Sequence, residues 1–165
     1  MVIGGQAVLL YGEPRLTKDI DITLGVDIDE LAQVLDGVAQ LGFEILIDDP
    51  DRFVVETRVL PTRDSTSSTR IDFIFSNSTY ERQAINRGKN VEIAGMPVLF
   101  AAPEDIVIHK IVAGRAVDVE DVRSIMLKNP KIDHGYIESW LLKFADALSR
   151  DFLSVFKRLE DETRE

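Results

Sequence analysis

Residues 1–24 read Met1-Val-Ile-Gly-Gly-Gln-Ala-Val-Leu-Leu-Tyr-Gly-Glu-Pro-Arg-Leu-Thr-Lys-Asp-Ile-Asp-Ile-Thr-Leu24, and the rest of the chain is best interpreted from this pattern. Asp19 and Asp21 alternate with apolar residues, which is typical of a β-strand whose two faces differ. Alternate side chains of a strand share a face, so both carboxylates point to one side, with Cα atoms about 7 Å apart. Ile20 and Ile22 then point into the core.

Two carboxylates on one strand face repel each other unless a cation lies between them or one binds a proton. Hard oxygen pairs of this kind suit Mg²⁺ or Mn²⁺. The Gly4-Gly5 pair lies a short helix upstream, and glycine lets a backbone approach a ligand closely. The N–H groups at the start of that helix can hold a phosphate. A metal site beside a phosphate site is therefore the first hypothesis, and two solvated acids at a strand edge are the alternative.

A third carboxylate would complete a two-metal site of the phosphoryl-transfer kind. Asp72 is the best candidate, because it lies in the apolar stretch Arg70-Ile-Asp-Phe-Ile-Phe75 and repeats the pattern around Asp19 and Asp21. An isolated charge in an apolar strand is costly if it faces the core. The alternative is that Asp72 lies on an exposed strand face and pairs with Arg70.

The composition restricts the function classes. A chain of 165 residues with 45% apolar residues is expected to form one domain with a substantial core. The sequence shows no apolar run long enough to span a bilayer and no secretory signal, so we expect a cytoplasmic protein with no membrane partner. The absence of cysteine excludes disulfides, zinc–thiolate sites and thiol nucleophiles. The net charge of −10 disfavours binding to free nucleic acid.

Residue periodicity predicts an α/β (α+β) fold: a mixed β-sheet flanked by helices, followed by a helical C-terminal subdomain. Residues 1–101 are predicted to form the α/β core, and residues 102–165 to pack on it as helices, giving a single compact unit. The predicted strands are 2–3, 20–24, 43–47, 52–59, 70–75 and 91–100, the last with a Gly-containing turn or bulge. The predicted helices are 6–11, 30–41, 80–87, 103–114, 118–128, 134–148 and 151–162, and 61–69 is predicted to be a loop.

The motifs together resemble a known superfamily. Ile3-Gly-Gly, then 13 residues, then Asp19-Ile-Asp-Ile and a later Ile-Asp-Phe resemble the nucleotidyltransferases related to DNA polymerase beta. The segment Pro103-Glu-Asp-Ile-Val-Ile-His-Lys-Ile-Val-Ala-Gly-Arg-Ala-Val-Asp-Val-Glu-Asp121 looks like the minimal prokaryotic branch, which includes toxin nucleotidyltransferases of abortive-infection systems. The resemblance covers roughly the first 125 residues, and the combination of motifs is more specific than any single one.

The resemblance implies a nucleotidyltransferase-like fold and a Mg²⁺- or Mn²⁺-dependent enzyme that transfers NMP from an NTP, such as ATP, to a hydroxyl acceptor. It implies that Asp19, Asp21 and Asp72 bind the metal and act in catalysis together with Lys110. The implied nucleotide-binding set is Gly4, Gly5, Arg15, Thr17, Lys110, Arg115 and Asp118.

Each of the remaining implied roles has a structural alternative. Lys110 could be an ordinary lysine of an amphipathic helix, and Arg15 and Thr17 could simply shape the turn before the strand. The resemblance implies that Asp118 or Asp121 orients Lys110 or Arg115, and the alternative is that Asp118 caps a helix while Asp118 or Asp121 forms a salt bridge with Arg115.

The implied partners are a nucleoside triphosphate and an acceptor that could be a protein, a small molecule or tRNA. The toxin-like branch also implies the toxin of a toxin–antitoxin system, with an antitoxin partner. Family members usually carry a helix before the first strand, whereas Met1 stands two residues before Ile3, so either the first strand is unusually short or a covering helix is missing. A missing cover would expose apolar surface, and we therefore expect a homo-oligomer or a bound partner. The alternatives are a catalytically silent nucleotide- or partner-binding domain of the same fold and, less favoured, a Mg²⁺-dependent hydrolase.

Overall fold

The computed structural model describes residues 1–164 as a mixed sheet and a set of helices. The strands are β1 (Val2–Ile3), β2 (Asp19–Thr23), β3 (Phe43–Ile45), β4 (Val59–Asp64), β5 (Arg70–Ile74), β6 (Lys89–Ile93) and β7 (Met96–Phe100). The helices are α1 (Gly4–Tyr11), α2 (Leu31–Gln40), α3 (Pro50–Thr57), α4 (Thr79–Arg87), α5 (Pro103–Ala113), α6 (Ala116–Lys128), α7 (His134–Leu148) and α8 (Leu153–Arg164).

The chain divides into two units that are not contiguous in sequence. Residues 1–6 and 16–100 form a sheet unit, whereas residues 7–15 and those from 101 onward form a helical unit. Helix α1 therefore contributes its first residues to the sheet unit and the rest to the helical unit. Among residues 1–164, none of the helices combines the length and the apolar composition that a membrane span requires.

The sheet unit contains a seven-stranded mixed sheet in the order β3-β4-β5-β2-β1-β7-β6. Strand β2 runs parallel to β5, β1 runs parallel to β7, and the other neighbours are antiparallel. The predicted mixed α/β fold is thus confirmed. One sheet face packs against α2 and α3 through Leu31, Val38, Val54, Leu60, Ile71, Phe73 and Phe75, with Ile20 and Ile22 packed at the margin.

Two sequence-based predictions in this unit are wrong. The segment 52–59 is predicted to be a strand, but residues 52–57 form most of helix α3 and only Val59 belongs to a strand, β4. The helix forms because the Asp49 side chain caps it through the Arg52 N–H and Pro50 occupies its first turn. The aromatic and β-branched residues at 53–55 favour a strand, yet only Val54 of this helix is buried. The segment 61–69, predicted to be a loop, includes most of β4. Pro61 fits in this strand although it has no N–H, because its carbonyl accepts a hydrogen bond from the Leu46 N–H at 3.0 Å.

The predicted glycine-containing turn separates β6 from β7. Ala94 and Gly95 both have positive φ, 51° and 80°, as the two central residues of a tight hairpin turn require. The segment 91–100, predicted as one interrupted strand, is therefore part of a two-stranded hairpin.

The helical unit is built from the last four helices and the segment 7–15. Helix α5 packs on α6 and α7, and α8 packs on the same two helices. The fully buried large side chains of this unit include Ile106, Ile108, Ile125, Ile137, Leu141, Phe156 and Leu159. The four helices predicted after residue 102 are present, with bounds shifted by two residues or fewer.

Helix α6 holds residues 11–13 by side-chain contacts. The Asn129 amide, at the end of α6, donates to the Tyr11 carbonyl at 2.8 Å, and the Glu13 N–H donates to Ser124 Oγ at 3.0 Å. A Cβ on Gly12 would lie 2.4 Å from Ser124 Oγ, so this close approach needs glycine. The segment that follows α1 is therefore fixed on α6.

Candidate active site

The three predicted metal-binding carboxylates lie on one face of the sheet. Strands β2 and β5 are parallel neighbours in a register that pairs Asp19 with Arg70 and Asp21 with Asp72. Residues paired in this way have Cα atoms about 4.8 Å apart and side chains on the same face. The intervening Ile71 is buried on the opposite face, in the core. Alternation along two strands thus gathers three acids and one arginine on the face away from the α2–α3 core.

Gly4 makes room for the Asp21 carboxylate. Strand β1 pairs Ile3 with Asp21, which brings the start of α1 next to that side chain. A Cβ on Gly4 would lie 1.9 Å from Asp21 Oδ2, and Gly4 has a φ of +63°, which favours glycine. The first glycine of the Gly4-Gly5 pair is therefore required by this carboxylate, while Gly5 is buried.

Arg70 partly neutralises the charge of the three carboxylates on this sheet face. Its Nε donates to Asp72 Oδ1 at 2.8 Å, and the exposed side-chain fractions are 47% for Arg70 and 16% for Asp72. The hydrogen bond to Asp72, together with the charges of Asp72, Asp19 and Asp21, raises the pKa of Arg70 despite partial burial. The pairing of Asp72 with Arg70, which the sequence left open as an alternative, is therefore observed, and Asp72 keeps an opening to solvent.

The donor chemistry of this face fits a hard divalent cation, although the side chains are not oriented as a ligand set. Within residues 1–164, no group of three or more histidine, aspartate or glutamate side chains is arranged to hold a metal ion. One Asp72 oxygen accepts the hydrogen bond from Arg70 Nε. Asp19, Asp21 and Asp72 nevertheless supply the oxygen ligands that Mg²⁺ prefers. They lie on adjacent strands, and Gly4 lies next to the Asp21 carboxylate.

Lys110 lies in a buried ion-pair network of the helical unit. Its Nζ is 2.8 Å from Asp118 Oδ1 and 2.9 Å from Asp121 Oδ2, and these three side chains are 5%, 0% and 4% exposed. Burial is the largest influence on each carboxylate and would raise its pKa. Hydrogen bonds from Arg115 and Lys110 to Asp118, and from Arg15 and Lys110 to Asp121, outweigh it, so both pKa values lie below the ordinary range.

Two arginines complete this network. Arg15 forms a two-point contact with Asp121, Nε to Oδ1 at 2.7 Å and Nη2 to Oδ2 at 2.8 Å. Arg115 contacts both oxygens of Asp118, and its backbone N–H donates to the same carboxylate at 3.1 Å, so Asp118 caps helix α6. Three cations thus surround two buried acids, which is the arrangement needed to hold charge in an apolar interior.

A family model described as "Nucleotidyltransferase of unknown function (DUF6036)" matches residues 1–150. The chain belongs to this family. No curated protein sequence matches it. Among solved structures, the antibiotic-resistance factor ANT(2'')-Ia is similar, with 16% identity, a TM-score of 0.58 and coverage of 90% of this chain and 82% of that one. An antigenic nucleotidyltransferase-like protein from Paracoccidioides brasiliensis has 18% identity, a TM-score of 0.52 and coverage of 94% and 83%. At identities this low, the structural similarity establishes a shared fold alone.

The predicted site residues of this nucleotidyltransferase-family chain fall into two groups. The sheet unit brings together Gly4, Asp19, Asp21 and Asp72. Thr17 lies in the same unit, and its Oγ1 contacts the Asp19 carbonyl at 3.4 Å, as expected of a residue that shapes the turn. The helical unit brings together Arg15, Lys110, Arg115 and Asp118. Nucleotide binding by these residues stays a prediction.

Sequence reasoning did not pair Arg15 with Asp121. The two residues are 106 positions apart, and no periodicity links them. The position of Arg70 was predictable, because residues two apart in a strand share a face, and Arg70 is two residues before Asp72. Its proximity to the β2 acids depends on the β2–β5 register, which the local sequence does not specify.

Proposed function

We propose that this protein is a Mg²⁺-dependent nucleotidyltransferase that moves NMP from an NTP to a hydroxyl acceptor. The observation that carries the proposal is the meeting of three carboxylates, from two adjacent strands, on one sheet face beside Gly4. The nucleotidyltransferase family and fold of the chain support the reaction class.

In this reaction the acceptor oxygen bonds to the α-phosphorus, the bond from that phosphorus to the leaving oxygen breaks, and pyrophosphate departs. Asp19, Asp21 and Asp72 would hold Mg²⁺, or Mn²⁺ in its place. Such an ion, when bound, neutralises triphosphate charge and lowers the pKa of the acceptor hydroxyl. The backbone at Gly4 can come close to a ligand because it carries no side chain. No side-chain nucleophile is needed, since positioning and charge neutralisation supply the rate gain.

The acceptor in this proposal is a protein or a small molecule rather than tRNA, because the net charge of −10 disfavours a polyanionic acceptor. ATP is the first NTP to try. A toxin role with an antitoxin partner, self-association and cytoplasmic location stay predictions from the resemblance and the composition.

A second candidate is a silent binding domain of the same fold. The observation that favours it is the hydrogen bond that Arg70 donates to Asp72, which occupies one oxygen of the third carboxylate. The two candidates differ in whether label from an NTP becomes covalently attached to an acceptor.

The asparagine variant Asp21→Asn is expected to lose NMP transfer by about 10²-fold or more, as typically follows removal of one group that stabilises transition-state charge. The purified protein is incubated with each α-³²P-labelled NTP, Mg²⁺ and cell extract, and label on macromolecules and small molecules is quantified. Asp36→Asn, on the exposed side of α2, is the matched control and should transfer normally.

The outcomes of this assay separate the rival functions. Label on an acceptor with wild type and Asp36→Asn but not with Asp21→Asn supports transfer. Nucleotide binding without any labelled product supports the silent domain, and release of labelled NMP alone supports hydrolysis. Equal labelling by wild type and Asp21→Asn would refute the assignment of this acidic face.

The variant Arg70→Gln is expected to bind Mn²⁺ more tightly than wild type. Arg70 competes with a cation for Asp72, and removal of one positive charge at a surface site changes the binding energy by about 1 kcal/mol, roughly fivefold in Kd. Titration followed by the EPR signal of free Mn²⁺ measures this without any activity. Arg52→Gln, on α3 and 76% exposed, is the control and should leave the Kd unchanged. Equal affinity in wild type and Arg70→Gln would show that Arg70 does not compete at the metal site.

A further inference from the structure

The helical unit contains a partly enclosed cavity of about 170 Å³, lined by residues of α5, α6, α8 and the α7–α8 connection. Its apolar wall includes Ile111, Val122 and Leu159, which are buried in the unit. An apolar protein cavity of about 150 Å³ accommodates a benzene molecule. The space therefore suits a single ring with a small substituent and is too small for a whole nucleotide.

A guanidinium group lies at this cavity without a carboxylate partner. Arg150 is exposed, and its guanidinium carbon lies 5.2 Å from the centroid of the Phe152 ring, which also lines the cavity. Among the side chains that the structure describes, no carboxylate lies within ion-pair distance of Arg150. The chain has 29 acidic and 19 basic residues, and Arg82 is another arginine whose recorded side-chain hydrogen bonds go to neutral groups, those of Asn77 and Thr79. By contrast, a carboxylate contacts each of Arg15, Arg52, Arg58, Arg70, Arg115 and Arg123.

The other charged groups around the cavity are already engaged or lie at its solvent side. Lys110 is held by Asp118 and Asp121. Asp151 uses one carboxylate oxygen to accept the Ser154 N–H at 3.0 Å, at the start of α8. Arg158 is 62% exposed, and its Nε is 3.8 Å from Glu162. Arg150 is thus the cation at this cavity best placed to receive an external anion.

We propose that this cavity is a binding site for a small ring-bearing organic anion of the aryl carboxylate class. The ring would occupy the apolar space beside Phe152, and the carboxylate would accept two hydrogen bonds from the Arg150 guanidinium. The proposal is independent of NMP transfer, because it rests on residues of the helical unit alone. A site for a ring-bearing anion gives the protein a ligand that the nucleotidyltransferase family description does not include.

Benzoate is the probe for this proposal. Titration into protein with ¹³C-labelled isoleucine, leucine and valine methyl groups should produce saturable NMR shifts at Val122, Val155 and Leu159, with a Kd of about 1 mM or below for a ligand of this size. Acetate, which lacks the ring, and benzyl alcohol, which lacks the charge, should each bind at least tenfold more weakly.

Two variants test the two halves of the site. Arg150→Met, at an exposed position between helices, should weaken benzoate binding about tenfold or more while leaving the fold intact. Val155→Phe should also lose binding because the larger side chain fills the cavity. Arg52→Met, in the sheet unit, should bind benzoate as wild type does. The proposal is overturned if benzoate gives no saturable shifts at the cavity methyl groups, or if Arg150→Met binds it with unchanged affinity.

Discussion

Replacement of Lys110 by methionine is expected to lower the free energy of unfolding by about 3–5 kcal/mol, the usual consequence of removing one partner from a buried ion pair. The Lys110 ammonium is within 2.9 Å of carboxylate oxygens on both Asp118 and Asp121, and neither acid is more than 4% exposed. Without it, two buried negative charges retain only the two arginines. Urea unfolding followed by the fluorescence of Trp140 measures the loss.

The matched control is Lys131→Met, an exposed lysine before α7, which should change the unfolding free energy by no more than about 0.5 kcal/mol. The resemblance implies a different result, in which Lys110 serves the phosphates of the nucleotide. A Lys110→Met variant that unfolds at the wild-type urea concentration but binds ATP much more weakly would support that role. It would contradict the structural role proposed for the buried network.

Replacement of Gly4 by alanine should both destabilise the protein and impair metal binding. The new Cβ would lie 1.9 Å from Asp21 Oδ2, and the φ of +63° is unfavourable for any residue with a side chain. We expect the unfolding free energy to fall by about 1–3 kcal/mol. Because the Asp21 carboxylate must move, we also expect the Mn²⁺ Kd to rise by about tenfold, or roughly 1.4 kcal/mol.

Gly37→Ala is the matched control for Gly4→Ala and should stabilise the protein rather than destabilise it. Gly37 lies within α2, and an added Cβ would meet no atom within 4 Å, so alanine should stabilise the protein by about 0.5–1 kcal/mol. Its Mn²⁺ affinity should equal that of wild type. If Gly4→Ala binds Mn²⁺ as tightly as Gly37→Ala does, the carboxylate of Asp21 is not a ligand.

The sheet face that carries the acids was predictable because strand alternation is a local property. Asp19 and Asp21 alternate with Ile20 and Ile22, which therefore lie on the opposite face of the strand and pack against the core. Helices α5 to α8 were predictable from apolar spacing in the same way. The mixed α/β fold followed from the order of these elements and from the family resemblance.

The remaining features depend on contacts that local sequence does not encode. Helix α3 was mistaken for a strand because its aromatic and β-branched residues outweighed a start signal of Asp49 and Pro50. The pairing of Arg15 with Asp121 joins positions more than a hundred residues apart. The metal-binding and nucleotide-binding roles remain predictions, since they concern ligands rather than contacts within the chain.

The assignment of residues 7–15 to the helical unit has a consequence for dissecting the protein. A fragment that starts at residue 101 would lack Arg15, so the Asp121 carboxylate would lose its two-point partner. It would also leave the Asn129 amide and Ser124 hydroxyl without the backbone groups that they bind at residues 11 and 13. No single cut in the polypeptide yields both units intact. A minimal helical unit would need residues 7–15 joined to it, and a minimal sheet unit would need a linker in place of those residues.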